Sequence, residues 1–203
     1  SMFSGTRKWV YYRQAAGSFQ RLHRWSGQLL IAALFIVPWV SIGGNPLLRI
    51  DLPARRLYML GQIFTASDGF LMALMALIAA FSLFAVSALF GRLWCGWLCP
   101  QTVFLEEWVR LVETAIEGEG LKRQKRDAGP WNFDKIWRKS AKILVLQALS
   151  IALGLTVMSY FAGASETWTF QAGPVDYAMV SIISVGAMLD WLWFREQLCI
   201  YVC

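Results

Sequence analysis

The chain has 203 residues, one ordinary domain's worth. Hydrophobic residues make up 57% of it and charged residues 16%, with 11 Trp and 13 Phe, where a soluble domain has about 45–50% apolar and 25% charged residues. These values exclude a disordered chain and a disulfide-rich secreted scaffold and disfavour a water-soluble enzyme, so the net charge of +6 reads first as a membrane signal.

Residues 1–24 form a basic segment with Arg7, Lys8, Arg13, Arg21 and Arg24 and no acid. An apolar stretch over residues 25–42 follows, with Pro38 inside it. The polar lead is long and no small-residue cleavage site follows, so this stretch reads as a retained span rather than a signal peptide. A loop with Arg49, Arg55 and Arg56 against Asp51 and Asp68 leads to a second stretch, residues 69–90. A third covers 141–162 and a fourth 175–194. Each is near the ~20 residues that cross ~30 Å of hydrocarbon as a helix. None alternates with a period of two, so helices are expected. Residues 91–142 hold ten Lys/Arg and the loop after Ala162 holds none. Positive residues mark the cytoplasm, which places the middle loop and both ends of the chain inside.

Residues 101–140 form an interfacial segment of their own. Phe104, Trp108, Leu111, Val112 and Ala115 fall on one helical face, with Glu106, Glu107, Arg110, Glu113 and Glu117 opposite. An acid-rich polar face suits protein contact better than lipid. The basic run from Leu121 to Arg126 suits anionic headgroups. No nucleic-acid-binding motif accompanies it, so nucleic acid is not an expected partner. The expected fold is an all-α membrane protein, residues 25–203. It is a four-transmembrane-helix bundle built from two repeated helical hairpins, plus a cytoplasmic amphipathic helix.

The chemistry rests on four cysteines in two pairs, Cys95/Cys99 and Cys199/Cys203. Each pair follows an even-numbered span, at the cytoplasmic edge of the membrane. At a spacing of four, two side chains share one helix face. That suits two ligands to one ion or a transient dithiol, and a structural disulfide is disfavoured in a reducing compartment. Asp68 opens span two much as Asp176 opens span four, and Arg92 and Arg195 precede the two pairs. Two such hairpins about a pseudo-two-fold axis bring all four thiols to one site. Soft thiolates select Cu(I), Zn(II) or iron–sulfur clusters. The lone His23 excludes a bis-histidine haem within one chain and reads as a headgroup or cap residue.

Four blocks follow one another in order: Leu52-Pro-Ala-Arg-Arg56, Gly91-Arg-Leu-Trp-Cys-Gly-Trp-Leu-Cys-Pro-Gln-Thr-Val-Phe104, Pro130-Trp-Asn-Phe-Asp-Lys-Ile-Trp-Arg-Lys139 and Arg195-Glu-Gln-Leu-Cys-Ile-Tyr-Val-Cys203. They closely resemble the FixG/RdxA family of cytochrome c oxidase accessory proteins, the CcoG type, over nearly the whole chain. The resemblance implies a bacterial inner-membrane protein that assists assembly of cbb3-type cytochrome c oxidase by reducing Cu(II) to Cu(I). It implies copper ligation by Cys95, Cys99, Cys199 and Cys203. Family members continue into a ferredoxin-like domain with [4Fe–4S] clusters, a further span and a periplasmic domain. The chain is therefore expected to be a truncated membrane core, with clusters only in the missing domain and metal binding as its remaining activity. Implied partners are the lipid bilayer and oxidase assembly factors or a copper chaperone, and a homodimer stays open. Two other readings stand beside this one. One is a NapH-like electron-transfer or quinol-oxidising subunit with a thiolate-bound iron–sulfur cluster. The other is a non-catalytic scaffold gripping oxidase subunits through Gln101 to Glu117.

Several residues invite lesser roles. Asp190, inside the fourth span, is a candidate proton relay because an acid there is expensive; the alternative is a pair with an arginine or a helix donor. Met72 and Met75 suit a thioether path or simple packing. Ala73, Ala76 and Ala80 form a small-residue stripe suited to close helix contact. Trp94 and Trp97 suit site shielding or interfacial anchoring.

Overall fold

The computed structural model describes residues 17–51, 54–65, 69–90, 97, 99–118, 124, 129 and 132–195. The first helix, α1, runs Ser18–Ile36 and is extended by a tight turn, Val37–Trp39. Pro38 lies in that turn, at the second position of the 3₁₀ segment, rather than inside a longer span. Arg21, His23 and Arg24 occupy its first half, so α1 is less apolar than a span expected from residues 25–42.

Residues after Val40 form two small antiparallel sheets in place of the expected loop. β1 (Ser41–Ile42) pairs with β2 (Asn45–Pro46) across Gly43 and Gly44, both at positive φ. β3 (Leu48–Asp51), β4 (Arg56–Met59) and β5 (Gln62–Phe64) form a meander in that order. Helix α2, Gly69–Phe90, follows the meander and ends where the sequence expected. None of its described side chains from Gly69 to Val86 is buried.

After α2 come α3 (Pro100–Phe104), a π turn (Leu105–Val109) and α4 (Arg110–Glu117), in continuous helical sense. The long α5, Phe133–Ala162, stops at Gly163, whose φ of 107° ends the helix with its N–H on Ser159 O. A short α6 (Ala164–Trp168) turns the chain into α7 (Pro174–Leu189), which closes on a second π turn, Asp190–Phe194. Pro174 begins α7 and the Asp176 carboxylate accepts the Gly173 N–H at 2.9 Å.

Among the described residues three helices are long and apolar enough to cross a membrane: α2, α5 and α7 with its π turn. The described residues thus form a mostly helical membrane protein with three candidate spans and small sheets. The first span was expected from the apolar stretch 25–42; the helix begins earlier, at Ser18, and takes in Arg21, His23 and Arg24, which lower its apolar content. The core lies where α1, α3, the first π turn, α5 and α7 meet, around Ile31, Phe104, Val109, Leu146 and Trp191. A second cluster joins α5 and α7 through Leu155, Met158 and Val180.

The amphipathic segment also departs from expectation. Val103, Phe104, Leu105 and Val109 are buried in the bundle core, while Leu111 is 55% exposed and Glu113 and Glu117 are 5% and 4% exposed. The expected face assumed a uniform 100° per residue. A π turn holds more residues per turn, so it rotates everything after it. The buried line therefore passes from Leu105 and Val109 to Glu113 and Glu117. The acid-rich face meets protein, but that protein is the chain itself.

The end of the bundle opposite Cys99 is held by the meander. Arg49 Nε donates to Phe161 O at 3.3 Å and Arg49 Nη2 to Ala162 O at 2.7 Å. These carbonyls belong to the last turn of α5, which lacks intrahelical partners and attracts positive charge. Arg49 is thus a helix cap rather than a marker of membrane side. Tyr160 Oη donates to Leu34 O at 2.7 Å, and Trp39 and Trp168 meet at a tilt with centroids 6.4 Å apart, tying α1 to α5 and α6 at the same end.

Candidate functional site

Cys99 sits at the start of α3, a free and half-buried thiol. Its backbone is extended, φ −64° and ψ 120°, because Pro100 disfavours the helical region for the residue before it. Pro100 then opens the helix, with Val103 N–H on Cys99 O at 3.1 Å. The helix α3 thus begins after Cys99, and the sharing of one face by Cys95 and Cys99 lies outside the described residues. Cys95, Cys199 and Cys203 lie outside the described residues, as do Arg92, Trp94 and the Met72 side chain. Among the described residues no group of three or more His, Cys, Asp or Glu side chains is arranged to hold a metal ion.

What the structure describes is the frame on either side of the cysteines. Gln101, two residues after Cys99, donates its amide to Asp190 Oδ2. Asp190 opens the second π turn, nine residues before Cys199. The other carboxylate oxygen, Asp190 Oδ1, is buried with no hydrogen-bond partner among the described residues. Between these two helices Trp108 meets Phe104 edge-on at 5.0 Å and Trp191 at 6.2 Å, and Trp191 is 2% exposed. Offset and edge-to-face rings at such separations attract beyond their buried area. The two π turns therefore face each other through tryptophan.

Further along, Arg195 closes the second π turn and donates through Nη2 to Glu113 Oε1 and through Nη1 to Glu113 Oε2 at 3.3 Å. Its Nε caps Trp191 O at 3.0 Å. Lys142 on α5 completes the cluster, with Nζ 3.7 Å from Glu113 Oε1 and 2.8 Å from Glu117 Oε1. Two carboxylates so deeply buried need two cations, since an unpaired buried charge is far costlier than a paired one. The Arg195 guanidinium is spent on Glu113 and Trp191 O.

On the α1 side, His23 Nδ1 lies 3.5 Å from Glu106 Oε2, and Glu106 Oε1 pairs with Arg110 at 2.8 Å. The His23 ring meets Trp97 edge-on at 5.2 Å. His23 thus faces the first cysteine block rather than headgroups alone, and Trp97 packs rather than only anchors. Glu107 accepts from Gln28 Nε2 at 3.5 Å. Burial pushes its carboxyl above the ordinary 4.5, against the opposing pull of Arg24, Gln28 and His23. Met75, Ala73, Ala76 and Ala80 are exposed on α2 and meet no thiol or close helix neighbour among the described residues.

Sequence reasoning gave Glu113 only a place on the polar face and passed over Gln101 and Lys142. Glu113 and Glu117 had a signal, the i, i+4 continuation of Val109, but it becomes visible only once the π turn is known. Gln101 had none beyond its place next to the first block.

Comparison with known proteins finds relatives over nearly the whole chain. The chain is 32% identical over 207 residues to the nitrogen fixation protein FixG of Rhizobium meliloti (strain 1021), an alignment covering 97% of this chain and 39% of that protein. It is 28% identical to protein RdxA and 27% identical to protein RdxB of Cereibacter sphaeroides, covering 96% and 97% of this chain and 43% of each. The chain belongs to the FixG/RdxA family. It spans about two fifths of the length of these curated relatives. A family model described as a 4Fe-4S binding domain matches residues 72–116, which include Cys95 and Cys99. This corrects the expectation that iron–sulfur character lies only in a missing domain, because the match falls within this stretch of the FixG/RdxA chain. No solved structure matches.

Proposed function

We propose that the chain is the membrane part of an electron-transfer protein whose four thiolates, Cys95, Cys99, Cys199 and Cys203, take Cu(II) as substrate and release Cu(I) for assembly of cbb3-type cytochrome c oxidase in the bacterial inner membrane. The observation that carries this reading is the double tie between the flanks of the two motifs, Gln101 to Asp190 and Glu113 to Arg195. Each tie joins a residue that follows the first pair to one that precedes the second, which favours convergence of the two pairs. The donor set fits the chemistry: thiolates prefer Cu(I), while Cu(II) prefers nitrogen and oxygen in tetragonal geometry. A sulfur site therefore favours the reduced ion. Each Cu(II) accepts one electron, so a dithiol oxidised to a disulfide reduces two ions and releases two protons. The disulfide is then re-reduced by an electron donor of the iron–sulfur class. Asp190, whose Oδ1 is buried with no hydrogen-bond partner among the described residues, is the proposed proton acceptor. A copper chaperone or oxidase assembly factor is the proposed partner.

A second reading, an iron–sulfur cluster held by the same thiolates in an electron-transfer or quinol-oxidising subunit, is favoured by the match to a 4Fe-4S binding domain. A third, a scaffold that grips oxidase subunits through residues 101–117, is disfavoured because Glu113 and Glu117 are spent on Lys142 and Arg195.

The test is Cu(I) titration of anaerobically purified protein, with iron and sulfide analysis on the same sample. Stoichiometric Cu(I) binding that disappears when all four cysteines are replaced by serine is the expected result. Stoichiometric iron and sulfide with charge-transfer absorption gives the site to the cluster instead. Copper binding unchanged by the four substitutions removes the thiolate assignment.

A further inference from the structure

The β meander is held at the level of the membrane boundary. Arg49, in β3, reaches the last carbonyls of α5, at Phe161 and Ala162, and α2 begins at Gly69, five residues after β5 ends at Phe64. β3 therefore lies within one arginine side chain of the end of a span. The headgroup region on each side of the hydrocarbon is about 5–7 Å thick, so the sheet begins inside it. Register sorts its side chains, because opposed residues of an antiparallel sheet share a face and neighbours along a strand alternate. Leu48, Ile50, Leu57, Met59 and Phe64 fall on one face, with Gln62 at its edge. Arg49, Asp51, Arg56, Tyr58 and Ile63 fall on the other, and it is Arg49 on this face that caps α5. The apolar face is thus turned away from the α5 terminus. None of its five apolar residues is fully buried, and none belongs to either hydrophobic core.

The tip of the meander repeats the pattern. Met59 and Gln62 pair across Leu60 and Gly61, which stand at φ 51° and 79°. Such a two-residue turn favours asparagine before glycine, and leucine at a left-handed position is strained. The strain is locked in: the Leu60 N–H donates to Leu47 O at 2.8 Å and Asn45 Nδ2 to Gly61 O at 3.2 Å. Yet the Leu60 side chain is 69% exposed. Within the chain it gains little from being leucine; against acyl chains it removes its whole apolar surface from water. At the other end of β4, Arg55 and Arg56 are exposed, as suits side chains at the level of lipid phosphates. We propose that the meander is a lipid-binding interfacial element, with its apolar face and the Leu60 tip lying against the outermost acyl chains of the bilayer and Arg55 and Arg56 among the headgroups. A phospholipid boundary is the occupant because the α5 terminus fixes the sheet at that depth and because basic residues flank the apolar ones.

The test uses the whole chain with its four cysteines replaced by serine, in nanodiscs of phosphatidylcholine and phosphatidylglycerol. Leu57→Cys, Leu60→Cys and Phe64→Cys, each labelled with a nitrobenzoxadiazole fluorophore, report on the apolar face and the tip. Arg56→Cys and Ile63→Cys, labelled alike, report on the opposite face. Each is quenched separately by a nitroxide near the top of the lipid acyl chain and by aqueous iodide. The ratio of nitroxide to iodide quenching is expected to be at least threefold higher at positions 57, 60 and 64 than at 56 and 63. Equal ratios on the two faces overturn the proposal. Stronger iodide quenching at 57 and 64 also overturns it, since the apolar face then lies in water and waits for a protein partner. Where the cysteine-free chain does not fold, a diazirine amino acid encoded at position 60 of the four-cysteine chain supplies the measurement. Phospholipid adducts on irradiation in nanodiscs are the expected result, and adducts with water or peptide alone overturn the proposal.

Discussion

Asp190 shows how one residue inside a span constrains its neighbours. One carboxylate oxygen accepts from Gln101 and the other is buried without a partner among the described residues. A carboxylate in such a place depends heavily on the donor it has, because removing one partner exposes the full desolvation cost of the other. Gln101→Leu is therefore expected to destabilise the fold by about 1–3 kcal/mol, and the double variant Gln101→Leu/Asp190→Leu to recover most of that loss. Unfolding in mixed micelles with rising detergent denaturant reads both, and a neutral Gln101→Leu removes the argument. Asp190 was legible in the sequence because an acid in an apolar run is conspicuous. Gln101 was not, because an amide near a helix start has many uses. Arg49 makes the complementary point. It is one of three arginines in the first loop, and the fold shows it capping α5 through Phe161 O and Ala162 O.

Between elements, the α5–α7 crossing is set by how closely two backbones approach. A Cβ added at Gly154 would lie 2.5 Å from Ser184 Oγ and 2.9 Å from Val180 O. The hydroxyl can rotate away but the carbonyl belongs to the α7 backbone, so the helices themselves must part. Small residues at such crossings are the means by which helices pack inside lipid. Gly154→Ala should gain about 1 kcal/mol in helix propensity and lose about 1–3 kcal/mol to overpacking, a net destabilisation. Ser184 Oγ is buried with no partner among the described residues, so Ser184→Ala should be neutral or slightly stabilising. Detergent unfolding midpoints of the two variants should move in opposite directions or only for Gly154→Ala; a larger loss for Ser184→Ala contradicts this account. Glycine in an apolar helix gives no hint in sequence of which neighbour it meets. The two π turns were equally hidden, since a one-residue change of register leaves composition untouched while it turns Glu113 inward and Leu111 outward.

At the scale of the whole molecule, the helices divide the described residues between two ends. Cys99, His23, Glu113, Lys142 and Arg195 belong to one, and the β meander, Arg49 and Trp168 to the other. If the basic middle segment lies in the cytoplasm, the meander lies across the membrane from Cys99. A cysteine-free chain carrying Ala54→Cys, in the exposed β3–β4 turn, should react with a membrane-impermeant maleimide added to spheroplasts. A chain keeping only Cys99 should react after permeabilisation. The opposite pattern reverses the orientation. The membrane character, the second and fourth helices, the cysteine pairs and the family were all determined by the sequence alone, because apolar length and local motifs are properties of contiguous residues. The small sheets, the shift of α1 toward Ser18, the burial of the acidic segment and the clasp of Glu113 on Arg195 were decided by the tertiary structure. Each depends on partners far apart in the chain, where desolvation, backbone register and the demand of buried charges for opposite charges act only after the helices have met.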